Sequence, residues 1–189
     1  MKKLFYIGAL SALLLVGCEE AEKPITENKT LEYPTPSDDE EPVSAEVNKE
    51  LNYYEAETKV FVDEYVNKFD NTWNNIWVLT MKRAEAKEIT TQDAYSNLKK
   101  VKEAYKALSV DSKIPTKELS KPNKKLAEKI VENLNMAAAN RQSAADIAME
   151  ILETNSTAKI NEMNEKVEWS NNFMSEAMKA KEELESNIN

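Results

Sequence analysis

Residues 61–77 read Phe61-Val62-Asp63-Glu64-Tyr65-Val66-Asn67-Lys68-Phe69-Asp70-Asn71-Thr72-Trp73-Asn74-Asn75-Ile76-Trp77. Large side chains fall at Phe61, Tyr65, Phe69, Trp73 and Ile76, in steps of three or four. Such spacing places them on one face of an α-helix. Outward from this stretch the same face continues through Val47, Leu51, Tyr54 and Thr58 on one side and Thr80 on the other. The successive four-residue steps of Phe61–Trp73 break a strict heptad, so the seam is expected to drift there. No Pro or Gly interrupts Ser44–Glu88, and the spacing predicts one long helix.

Three further helical stretches follow. Thr90 and Asp93 are spaced as a capping box with Asp in place of Glu. Ala94, Leu98, Val101, Tyr105 and Leu108 then repeat in steps of four and three. Pro115 breaks the pattern within Ser109–Lys121. Ser120 is placed to cap a new helix with Pro122 in its first turn. Beyond Pro122, Ala127, Ile130, Leu134, Ala137, Ala144, Ala148 and Ile151 mark one face. Ile160, Met163, Val167, Met174, Ala177, Leu184 and Ile188 mark another, about one residue out of phase. A turn at Asn155-Ser156-Thr157 between them is expected, against the alternative of a single unbroken helix. These amphipathic faces must pack on each other. The expected fold is all-α: an elongated, antiparallel, coiled-coil-like bundle of three to four long helices over residues 44–189.

What the chain lacks narrows its chemistry. There is no His, and Cys18 is the only Cys. This excludes Ser-His-Asp and Cys-His catalysis, His-ligated zinc, thiolate clusters and an intrachain disulfide. The only two glycines, Gly8 and Gly17, precede Cys18, so no Gly-rich phosphate loop or dinucleotide fingerprint exists beyond it. The formal net charge is −9, which argues against nucleic acid as a partner. No metal or cofactor is expected.

At the N-terminus, Met1-Lys2-Lys3 is basic and Leu4–Val16 is apolar. The apolar run is shorter than the roughly 20 residues of a spanning helix, and it has the proportions of a signal-peptide core. It ends in Leu15-Val16-Gly17-Cys18, which resembles the lipobox of bacterial lipoproteins. The resemblance covers the first 18 residues. It implies removal of residues 1–17 as a signal peptide, a lipid on the Cys18 sulfur and attachment to the outer face of the cell membrane through that lipid.

Residues 18–43 read as a tether. They hold Pro24, Pro34, Pro36 and Pro42 and the acidic run Asp38-Asp39-Glu40-Glu41, and proline and like charge both favour extension.

Candidate contact residues are few. Trp73 and Trp77 lie four apart and fit either an aromatic platform for a ligand or partner or bundle core. Trp169 borders the Val167 face and is a further contact candidate. Arg141 falls among seam alanines. There it is placed either for a register-setting ion pair, with Asp146 or a Glu of another helix as partner, or for a stem that carries its head to solvent. The expected function is a membrane-tethered, non-catalytic interaction module: an adaptor or an exclusion-type factor with an envelope protein or a second copy as partner. The alternative is a lipoprotein that binds cell-wall glycan, peptide or a small molecule.

Overall fold

The structure is a computed structural model, and it describes residues 49–110 and 113–188. The signal peptide, Cys18 and the tether lie outside the described residues. The described chain forms four helices, and no strand occurs in it. Helix α1 covers residues 49–85, α2 is Thr91–Val110, α3 is Lys121–Thr154 and α4 is Ile160–Ile188.

Two wide π-helical turns interrupt α1, at Tyr54–Thr58 and Trp73–Val78. The first coincides with the four-residue step from Tyr54 to Thr58 in the buried face, and the second with the five-residue step from Thr72 to Trp77. In an α-helix a step of four overshoots a full turn by about 40°. A π turn holds an extra residue and absorbs that overshoot. Between the two turns, Lys59–Thr72 keeps α-helical pitch, and its buried face runs through Val62, Tyr65, Phe69 and Thr72, displaced by one residue from the face expected through Phe61 and Trp73. Val62 and Trp77 are buried, while Phe61 and Ile76 are only partly so.

Local signals end and start several of the helices. At the end of α1, Lys87 takes a left-handed conformation at φ 59°. The Lys87 N–H donates to Ala84 O and the Glu88 N–H to Arg83 O, the bonding of a Schellman cap. The Asp93 N–H donates to Thr90 Oγ1 and the Thr90 N–H to Asp93 Oδ2, both at 3.1 Å, so the Asp-for-Glu capping box forms. Asn155, left-handed at φ 48°, ends α3. The turn separating α3 from α4 thus takes its shape from a residue that tolerates that region.

One cap differs from expectation. Ser120 occupies the N-cap of α3 without a side-chain capping bond. Glu50 of α1 takes over: its Oε1 accepts from the Ser120 N–H at 2.7 Å and from Asn123 Nδ2 at 2.8 Å. A carboxylate suits the positive end of a helix dipole.

The helices alternate in direction. Asn123 at the start of α3 meets Asn187 at the end of α4, and Lys102 of α2 pairs with Asp146 of α3. Tyr54 near the start of α1 donates to Glu185 of α4. Helix α2 is short, so residues 113–120 run as a strap along the lower part of α1. Thr58 Oγ1 donates to Pro115 O at 2.8 Å, the Lys117 N–H donates to the Tyr53 hydroxyl at 3.0 Å, and Ile114 and Leu119 are buried.

The most extensive close backbone contacts join α3 to α4 and α3 to α2. Small residues allow this: Ala137, Ala138, Ala144, Ala145 and Ala148 on α3, and Ser170, Ala177 and Ala180 on α4, all buried. Ser170, absent from the expected face, is at its centre and donates to Ala137 O at 2.9 Å. A longer apolar side chain there would hold the helices apart. Helix α1 meets the bundle through aromatic side chains instead. The Tyr65 hydroxyl donates to Leu134 O, and the Tyr105 hydroxyl of α2 donates to Phe69 O. These bonds satisfy polar tips that are otherwise costly to bury.

Candidate functional site

The π turn of α1 delivers Trp73 and Trp77 to the middle of the bundle. Their rings stack at 4.9 Å between centroids and 13° between planes. Trp77 is 3 % exposed, so the sequence-derived reading of it as a contact residue gives way to core packing. Trp73 is half-buried. The Arg141 guanidinium of α3 lies 3.4 Å from the Trp73 ring centroid and 5.8 Å from that of Phe69. A guanidinium that close fills one face of Trp73, which leaves Trp77 to cover the other. Neither face is open as a platform for a sugar or peptide ring.

Arg141 itself is 5 % exposed, so its head is not carried to solvent. Nor does the alternative, a register ion pair, form among the described residues. Asp146 pairs with Lys102 at 2.7 Å, on the side of α3 that faces α2. In place of a carboxylate, Arg141 Nη2 donates to Asn171 Oδ1 of α4 at 2.7 Å. Arg141 Nε and Nη1 are buried without a hydrogen-bond partner among the described residues. Burial pulls the guanidinium pKa down to about 10, against the opposing influence of Tyr105 and Asp70. Asp70 feels the converse: burial raises its pKa and the Arg141 charge draws it part of the way back.

This constellation joins three helices through one flat cation: Trp73 from α1, Arg141 from α3 and Asn171 from α4. It holds no nucleophile beside a base. Its contribution is directional: a stacked guanidinium with one oriented hydrogen bond favours one register of the three helices, at a cost in stability from its two unpartnered donors. Among the described residues no group of three or more His, Cys, Asp or Glu side chains is placed to hold a metal ion.

Trp169 is the tryptophan that faces outward. It is 48 % exposed, with Lys166 Nζ 4.3 Å above its ring. It sits one residue before the buried Ser170, on the outer edge of the α3–α4 seam. Arg83, the other arginine, is exposed and reaches Glu88 at 3.7 Å. Asn75 Nδ2 donates to Asn71 Oδ1 on the exposed side of α1, a surface arrangement. An open, shallow depression on the outer face of α2 is lined by Gln92, Tyr95, Ser96, Lys99, Lys100 and Glu103.

Sequence reasoning missed Asn171 and Phe69 as neighbours of Arg141 and Glu50 as the cap of α3. Each meets its partner laterally, between helices, and periodicity along one helix carries no signal of that. Comparison with family models, with curated proteins and with solved structures finds no match to this chain.

Proposed function

We propose that this chain is a bacterial lipoprotein, acylated at Cys18 and anchored at the outer face of the cell membrane, whose helical bundle is a non-catalytic protein-interaction module. The observation that carries this reading is Leu15-Val16-Gly17-Cys18, with the sole cysteine of the chain at the lipobox position. Burying acyl chains contributes about 0.8 kcal/mol per CH₂, and two chains give a stable anchor. Among the described residues, no helix is long and apolar enough to cross a membrane.

The exposed surface supports the interaction role. Trp169 offers a large amphipathic ring of the kind that anchors protein interfaces. Its partner in this reading is an envelope protein or a second copy of the chain. The same exposed side chain also serves the alternative, a module that binds wall glycan or peptide.

The test has two parts. Wild type and Cys18→Ala are followed in cells with labelled fatty acid; equal labelling removes the anchor. A photo-crosslinker in place of Trp169 is then compared with one at Asn74, an exposed position of α1. One dominant protein adduct specific to position 169 supports the interaction module. Adducts to wall fragments alone transfer the role to the glycan-binding alternative.

A further inference from the structure

Charge is divided unevenly along this chain. Between Lys99 and Lys129 stand ten lysines and four carboxylate residues, in a chain of net charge −9. The fold collects the densest part, Lys113, Lys117, Lys121, Lys124 and Lys125, on the strap and the first turns of α3. All five are exposed. Lys117 shares Glu118 with Lys49, while the other four make no ion pair among the described residues. Lys121, Lys124 and Lys125 also stand at a helix N-terminus, where the dipole disfavours cations. With Glu118 and Glu50 the carboxylates bonded within it, the stripe carries an excess of positive charge on an acidic protein.

A complementary segment lies next to it in the chain. Glu19–Asn48 contains ten carboxylate residues and two lysines, including the consecutive Asp38-Asp39-Glu40-Glu41. The chain enters α1 beside the stripe: Lys49 Nζ is 2.7 Å from Glu118 of the strap, and Glu50 binds the Ser120 N–H at 2.7 Å. Glu41 is eight residues from Lys49, a span that reaches about 27 Å when extended. A segment held that close acts at an effective concentration in the millimolar range.

We propose that the acidic run Asp38–Glu41 docks on the lysine stripe Lys113–Lys125 of its own bundle. Docking neutralises the stripe and limits the reach of the leading segment to the residues before Asp38. High ionic strength, or a competing anionic surface, releases it. The inference stands on the bundle and on charge, and holds whether or not Cys18 carries lipid.

The experiment uses the full chain from residue 18, with Cys18→Ser and Ser37→Cys carrying a paramagnetic label. Amide broadening is read across the bundle at about 20 mM and about 500 mM salt, conditions that shorten the screening length several-fold. The expected result is broadening concentrated at residues 113–125 that falls more than about fivefold at high salt. Lysines at positions 38–41 (Asp38→Lys, Asp39→Lys, Glu40→Lys, Glu41→Lys) abolish it. Adding Lys113→Glu, Lys117→Glu, Lys121→Glu and Lys124→Glu restores it. Broadening spread evenly over the surface, or unchanged by salt and by charge reversal, overturns the proposal. So does a stripe whose amides respond only to added anionic vesicles, which assigns the surface to a membrane.

Discussion

Replacing Arg141 with Met tests the physical account of the bundle centre most directly. The substitution removes the charged hydrogen bond to Asn171, worth about 1.5–3 kcal/mol. It also removes the desolvated stacking on Trp73, worth about 1–2 kcal/mol. In return it relieves two buried donors without partners, Nε and Nη1, at about 1–3 kcal/mol each. It relieves as well the several kcal/mol of burying an ion that no carboxylate neutralises. An unbranched thioether fills the same channel against Trp73 and Phe69. The balance favours Arg141→Met by about 1–3 kcal/mol, in the range known for buried ions replaced by apolar groups. At this chain length that is about 3–9 °C in Tm. Arg141→Lys does the reverse: it keeps the buried charge and loses the planar fork, and costs about 2–4 kcal/mol. Both are measured by urea unfolding and thermal melts followed by circular dichroism, with the m-value checked for constancy. A Met variant that loses more than about 2 kcal/mol, beside a Lys variant close to wild type, refutes the reasoning. It would show that the cation itself holds the helices together.

Further outcomes follow from other sites. Tyr54, Tyr65 and Tyr105 have hydroxyl pKa values raised in the fold, chiefly by burial. The unfolded chain therefore releases these protons first, and stability falls as pH rises above about 10. Arg141 opposes this because its folded pKa is the lower one, but one group stands against three. A melting temperature flat from pH 8 to pH 11 contradicts this, and Tyr65→Phe should shallow the alkaline slope. Glu50→Ala removes the carboxylate that caps α3 and should cost about 1–2 kcal/mol. Burial raises the Glu50 pKa, yet the bonds from Ser120 and Asn123 outweigh it and leave the net shift downward. Its contribution is then present above the unfolded carboxylate pKa and lost as pH falls through the folded one; an acid limb unchanged by Glu50→Gln would speak against it. Ser170→Leu should cost about 3 kcal/mol by wedging α3 from α4, whereas Ser170→Ala should cost about 1 kcal/mol; similar values for the two would mean the seam is loosely packed. Lys87→Gly, at the left-handed cap of α1, should raise stability by about 0.5–1 kcal/mol.

Some of the helix starts and stops were legible in the sequence, because those signals act within a few residues. Thr90 and Asp93 cap each other, Asn155 accepts the left-handed turn, and Pro115 forbids a helix through the strap. The all-α bundle was legible as well, since the spacing of Ala94, Leu98, Val101 and Tyr105, or of Ala127, Ile130 and Leu134, is a property of one helix read alone. The lateral pairings were decided only in three dimensions. Periodicity put Trp73 and Trp77 on one face but not which of them would be sealed. That depended on a π turn of α1 and on Arg141 arriving from α3. It put Arg141 on a seam without showing that Asn171 meets it while Asp146 turns to Lys102. Glu50 caps α3 across 70 residues of chain. A helix face is fixed by contacts three and four residues apart, whereas its partner depends on the depth and rotation at which helices dock. Those are set by summed packing of side chains far apart in sequence, such as the alanines that draw α3 onto α4 and the aromatics that hold α1 at a distance.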